Sequence, residues 1–139
     1  MPTFTQEDYI RAIYRLSEDL NRPIKSAELA TQLELNKSTI SQRLKELQKH
    51  GWIEQEAYGP IELTQEGLRL AKNLTYKHRL IELYLIKEMD FAPEEVHAEA
   101  HRLEHAVSDK LILKMAKKLG NPTHCPHGQE LPDFYTTKK

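Results

Sequence analysis

The chain has a single cysteine, Cys125, among its 139 residues, so an intrachain disulfide is excluded and a reducing compartment fits. Long apolar runs are also missing. Nothing approaches the roughly 18 consecutive apolar residues of a membrane span. The polar start Met1-Pro2-Thr3-Phe4-Thr5-Gln6-Glu7-Asp8 lacks the apolar core of a secretory leader. A soluble cytoplasmic protein is the expectation. Charge of one sign is lacking too: 20 Lys and Arg stand against 21 Asp and Glu, a net charge of -1, so no global basicity announces a nucleic-acid partner.

Charge is nonetheless uneven along the chain. Between residues 36 and 50, Lys37, Arg43, Lys45 and Lys49 face only Glu46, whereas residues 76 to 110 carry more acids than bases. A basic front precedes an acidic, histidine-bearing rear, which holds most of the seven histidines.

Hydrophobic spacing predicts mainly α structure. Tyr9, Ile13, Leu16 and Leu20 recur at helical intervals over about residues 5 to 20. Ser26 is expected to cap a short helix through Leu33, and Asn36 a second one running to about His50, with Glu34-Leu35 as the turn between them. That is helix-turn-helix spacing. Gly51 ends the pair, and Trp52-Ile53-Glu54-Gln55 and Ile61-Glu62-Leu63 flank the turn signal Tyr58-Gly59-Pro60, so a β-hairpin completes a winged helix. Thr64 opens a long helical pattern to about Met89, and Pro93 suits the first turn of a helix carrying Val96, Ala100, Leu103 and Val107. Ser108 is expected to cap a last helix ending at Gly120-Asn121-Pro122. A tail holding His124-Cys125-Pro126-His127 reads as irregular. The resulting division is a winged-helix unit over 1–73 and a helical unit over 74–139, joined by the long helix.

Two surfaces carry chemistry. In the second helix of the pair, Asn36, Lys37, Ser38, Thr39, Ser41, Gln42 and Arg43 gather hydroxyls, amides and cations at the N-terminal end, where a recognition helix meets base edges and phosphates. Gln bonds adenine in a bidentate manner, and Arg or Lys favours guanine or phosphate. On the later helix, His97, His101, Glu104 and His105 fall on one face at about 100° per residue, beside the apolar stripe. Partly buried imidazoles and a carboxylate there call for a partner, and a divalent cation suits them. His78 and Glu82 repeat an i, i+4 pairing on the preceding helix. Two other readings compete: His101-Arg102-Leu103-Glu104-His105 matches the H-x-x-E-H zinc-hydrolase pattern, and the polar face also fits a winged-helix regulator that ignores metal. His124, Cys125 and His127 are a further candidate metal site.

Four stretches, Asp8-Tyr9-Ile10-Arg11-Ala12-Ile13-Tyr14, Thr39-Ile40-Ser41-Gln42, Tyr76-Lys77-His78-Arg79-Leu80 and Val96-His97-Ala98-Glu99-Ala100-His101-Arg102-Leu103-Glu104-His105, resemble the metal-dependent repressors of the diphtheria-toxin-repressor and manganese-transport-regulator family. The resemblance covers about residues 5 to 135. It implies a homodimer that binds operator DNA when its metal sites fill, and it resembles the family's short branch without an SH3-like domain. It also implies two ligand sets: Asp8, His101, Glu104 and His105 in one, and His78, Glu82 and His97 in the other. Asp8 stands where iron-type members have Met, and His101 where they have Cys. Manganese-type members have acids at both positions and another at Arg11. This hybrid set lacks sulfur, which favours Mn(II) or Fe(II), with Zn(II) as an alternative. For Asp8 the residues offer another role, since Thr5-Gln6-Glu7-Asp8 fits a helix-capping box. The partner surface of the dimer is expected from Leu80, Leu83, Leu111, Ile112 and Met115.

Overall fold

A computed structural model of the chain describes residues 2–134; Met1 and residues 135–139, which the expected ranges include, lie outside the described residues. The chain divides into two compact units, Met1–Ala71 and Lys72–Lys139.

In the first unit, α1 (Phe4–Leu20) starts with a reciprocal cap: Gln6 N–H donates to Thr3 Oγ1 at 3.1 Å and Thr3 N–H donates to Gln6 Oε1 at 2.9 Å. The capping box therefore lies two residues earlier than Thr5-Gln6-Glu7-Asp8 suggests, and Asp8 takes no part in it. A left-handed Asn21 (φ 54°) ends the helix. In α2 (Ser26–Leu33), Ser26 is the first helical residue and not the cap. Its hydroxyl accepts from Gln55 Nε2 at 2.8 Å, while Glu28 reaches back to accept the Lys25 N–H at 2.9 Å. Left-handed Glu34 makes the turn to α3 (Lys37–Lys49), where the Asn36 side chain accepts from the Thr39 N–H at 2.8 Å.

A short antiparallel pair follows, β1 (Ile53–Glu54) with β2 (Glu62–Leu63), in the register Ile53 to Leu63 and Glu54 to Glu62; a single bridge adds Ile61 to Ile24. Ile10, Ile13, Ile24, Leu29, Ile40, Leu47, Ile53 and Ile61 are sealed from solvent and hold helices and wing together. The strands are shorter than the sequence pattern suggests.

The long helix α4 (Gln65–Met89) begins in this unit and continues into the second. Thr64 starts it: its Oγ1 accepts from the Gly67 N–H at 3.1 Å and donates to the Gly51 carbonyl at 2.6 Å. Gly67 has no alternative here, because a Cβ would collide with the Trp52 carbonyl.

In the second unit, left-handed Asp90 (φ 57°) ends α4. Pro93 sits in a turn ahead of α5 (Val96–Glu104) and not in its first turn, and the helix stops before Val107. Ser108 caps α6 (Asp109–Lys118) by accepting from the Leu111 N–H at 3.1 Å. Leu80, Ile81, Leu85, Val96, Ala100, Val107, Ile112 and Ala116 form its core. Leu80, Leu83 and Ile112, expected on a partner surface, are thus buried within the unit, whereas Leu111 and Leu113 remain exposed and Met115 is half-buried. The tail carries no helix or strand, as expected, but its backbone is paired. His124 bridges Glu130, the Cys125 N–H donates to the Gln129 carbonyl at 2.8 Å, and the Leu131 N–H to the Thr123 carbonyl at 2.8 Å, which makes a small hairpin. Buried Arg79 of α4 pins it by donating to the Glu130 carbonyl at 2.6 Å. No helix among the described residues is long and apolar enough to cross a membrane.

Candidate metal centre and DNA-reading helix

Helix α4 carries an unusual buried polar band: Thr75, His78, Arg79 and Glu82 are each 2 or 3% exposed. Groups buried this way must be partnered. His78 is partnered on both sides of its ring. Its Nδ1 lies 2.6 Å from Glu104 Oε1, and because a carboxylate only accepts, this nitrogen carries the proton. The opposite nitrogen, Nε2, lies 3.2 Å from Glu82 Oε2 and 3.2 Å from His97 Nδ1, and the last two are 3.5 Å apart.

Three atoms that can all be acceptors therefore converge. They repel unless a positive centre, a proton or a metal ion, sits among them. The spacing suits a metal: donors about 2.1 Å from one cation, at right or tetrahedral angles, lie about 3.0 to 3.4 Å apart. The order carboxylate, imidazole, cation is also the usual way a ligating histidine is oriented. Burial by itself pushes the Glu82 carboxyl up. The hydrogen bond and charge of His78, with the charges of His127 and His97, outweigh burial and hold it below the ordinary carboxylate range.

A second group lies at the end of α5. His101, Glu104 and His105 each offer a donor atom, and these atoms lie within 4.8 Å of one another. Glu104 is fully buried, with Oε2 3.9 Å from His105 Nε2, and the rings of His101 and His105 meet edge to face at 5.6 Å between centroids. The expected partial burial of the whole face holds for His105 alone. Glu104 is completely enclosed, whereas His97 and His101 are exposed. Asp8 is half-buried on α1, in the first unit.

The zinc-hydrolase reading requires Glu104 to act as a base toward substrate. A fully buried carboxylate already bound to His78 is badly placed for that. Of the tail residues, Cys125 is buried, His124 Nδ1 lies 2.9 Å from Thr123 Oγ1, and His127 Nδ1 lies 3.7 Å from Glu82 Oε1. The sequence hinted at His127 only through a loop motif, since its nearness to Glu82 depends on the hairpin.

On α3, Lys37, Ser38, Ser41 and Gln42 are exposed, whereas Thr39 and Arg43 are half-buried; Asn36 is committed to the cap, and Arg43 lies 3.6 Å from Glu46. Lys37 and Ser41 line a groove between α3 and the wing together with Lys25, Lys45, Gln48 and Tyr58. Sequence reasoning missed Lys25 and Tyr58 as groove residues because they come from separate segments. Tyr58 is fully exposed at the tip of the wing, with φ 60°.

Comparison with known proteins gives a match for each half of the chain. Residues 1–61 match the model of the iron dependent repressor N-terminal DNA binding domain, and residues 64–133 match that of the iron dependent repressor metal binding and dimerisation domain. The chain is 37% identical over 128 residues to the iron-dependent repressor IdeR of Mycobacterium tuberculosis, covering 92% of this chain and 55% of that protein. It is 32% identical over 128 residues to the diphtheria toxin repressor of Corynebacterium diphtheriae, covering 92% and 56%. Among solved structures, a manganese-dependent transcriptional repressor in complex with manganese matches with a TM-score of 0.82 and 34% identity, over 92% of this chain and 58% of that one. The manganese regulator SloR matches with a TM-score of 0.79 and 34% identity, over 92% and 59%. The chain thus spans little more than half the length of these relatives.

Proposed function

This chain belongs to the iron-dependent repressor family, a family of transcriptional repressors and not of enzymes, and on that footing we propose that it is a divalent-metal-activated regulator. In this reading it represses metal-homeostasis genes, acting in the cytoplasm as a homodimer on double-stranded operator DNA. The observation that carries the reading is the convergence of His78 Nε2, Glu82 Oε2 and His97 Nδ1 in a chain that also presents a capped helix with an exposed cationic N-terminal turn. Relatives are named for iron or for manganese, and a donor set of imidazoles and carboxylates without sulfur suits Mn(II) or Fe(II), and Zn(II) as well.

One cation takes His78, Glu82 and His97, and the other takes His101, Glu104 and His105. The family resemblance assigns Asp8 to this second cation. In this reading metal occupancy and DNA binding are coupled, with a coupling free energy of about 1 to 3 kcal/mol. In the homodimer, two α3 helices enter successive major grooves about 34 Å apart. Lys37, Ser38, Ser41 and Gln42 face the bases, while Arg43 and the groove lysines Lys25 and Lys45 hold phosphate.

Selection of random duplexes by the purified chain, with Mn(II) and with chelator in parallel, tests the reading. Enrichment of one sequence in metal alone is expected. Equal enrichment in chelator would leave a winged-helix regulator that ignores metal.

A further inference from the structure

We propose that Gln55 is a positioning residue for operator binding: its side-chain amide clamps the wing turn to the first turn of α2 and so holds Tyr58 on the rim of the groove beside α3. The inference rests on the DNA-binding reading above. Gln55 directly follows β1 and is half-buried. Its Nε2 donates to the Gly59 carbonyl at 3.0 Å and to Ser26 Oγ at 2.8 Å. A carbonyl only accepts, so the amide is oriented with its NH2 toward both partners, and both of its protons are spent. One bond closes on the wing itself, and the other crosses 29 residues to α2. With its donors committed, Gln55 has none to offer a phosphate and acts through the turn that it holds.

The wing needs such a clamp. Its paired strands are two residues each, and its base is tied to the rest of the unit by the Ile61 N–H, which donates to the Ile24 carbonyl at 2.7 Å. Its tip is a four-residue turn closed by the Gly59 N–H on the Glu56 carbonyl at 2.9 Å, with Tyr58 in third place at φ 60°, a conformation that favours glycine or asparagine. A residue keeps such a conformation only where its surroundings hold it. Among the described residues, no other side-chain hydrogen bond ties this turn to a helix. The anchor on α2 is itself fixed, because Glu28 accepts the Lys25 N–H at 2.9 Å and is held in turn by Arg22. Lys25, Ser26, Gln55, Tyr58 and Gly59 all line the groove, so Gln55 joins its two rims, cationic on the α2 side and aromatic on the wing side. A loose wing would present Tyr58 correctly only part of the time, and affinity falls by that fraction.

The test is anisotropy titration of the full chain in Mn(II) on the duplex enriched by selection, with wild type, Gln55→Met, Tyr58→Ala and the double variant. Methionine keeps the length of Gln55 and removes its donors. Gln55→Met should weaken binding about 3- to 10-fold, Tyr58→Ala by a similar factor, and the double variant no further than the weaker single one. Nitrogen-15 relaxation of the free protein gives a separate readout. The order parameters of Tyr58 and Gly59 should fall toward about 0.6 in Gln55→Met while those of α3 stay as in wild type. Ser26→Ala, which removes one acceptor and leaves Gln55 in place, should loosen the same two amides. Wild-type affinity in Gln55→Met or in Tyr58→Ala would overturn the inference and leave the DNA-binding reading intact. Losses that multiply in the double variant would also overturn it, because Gln55 would then act independently of Tyr58, and so would turn amides as ordered in Gln55→Met and Ser26→Ala as in wild type. A wild-type chain that enriches no duplex would overturn the DNA-binding reading and this role with it.

Discussion

His78 Nδ1 and Glu104 Oε1 stand 2.6 Å apart with both side chains out of solvent, and this contact joins the two donor groups of the helical unit. One imidazole thus has a face in each group. Charge placed at Nε2 by a cation strengthens the hydrogen bond at Nδ1, and that bond in turn orients a carboxylate of the other group.

The first prediction concerns that contact. Glu104→Gln should weaken cation binding at its own group and, by about 10- to 100-fold, at the group of His78, Glu82 and His97, although Glu104 supplies no donor there. Two-site calorimetric titration measures both. A variant with an unaltered His78 group would show that the 2.6 Å contact transmits nothing.

On DNA, Gln42→Ala and Arg43→Ala should differ in kind. Gln42 is exposed on α3, and its loss should relax discrimination at one base pair by about 1 to 3 kcal/mol. Arg43 already lies 3.6 Å from Glu46, and its loss should weaken all sequences alike and lower the salt slope by about 1. Anisotropy titrations on selected and random duplexes over a range of salt separate the two. If neither variant changes binding, α3 is not the helix in the groove.

Gly67→Ala should destabilise the first unit by about 3 kcal/mol, because the added carbon meets the Trp52 backbone, which cannot turn away as a side chain can. Urea denaturation gives the loss directly. A midpoint close to that of wild type would mean that α4 starts with more freedom than Thr64 and Gly51 suggest.

Glu28 provides a pH test. Its carboxyl is held down to about 2, first by the hydrogen bond from Arg22, at 2.6 and 3.0 Å, then by the Lys25 N–H. A carboxyl depressed in the folded state stabilises the fold above its unfolded value and loses that contribution as pH falls toward 2. Carbon-13 NMR titration should show a Glu28 midpoint near 2, rising toward 4.5 in Arg22→Ala. The pair is solvent-exposed, so the rise should shrink as salt is added. An unmoved midpoint would assign the depression to the helix terminus alone.

Much of this was legible in the sequence because local chemistry decides it. Asn36 and Ser108 cap their helices as their positions suggest, since a cap needs only an acceptor one turn from an exposed N–H. Long-range packing decides the rest. Leu80, Leu83 and Ile112 look like surplus apolar surface until the unit closes on them. The hairpin depends on Arg79, 51 residues from Glu130. Helical angles put His97, His101, Glu104 and His105 on one face but say nothing of height along the axis, and four residues rise about 6 Å. The family resemblance separated His97 from the other three, and its nitrogen lies against His78.

Every donor atom gathered in the helical unit is nitrogen or oxygen, and the lone thiol is enclosed under the hairpin. Peroxide reaches a regulatory centre most readily through an exposed thiolate, which passes to sulfenic acid and drops its ligand. This chain offers no such foothold at either donor group. An oxidant acting on a cation held by these groups would have to act through the valence of the ion and not through a sulfur ligand.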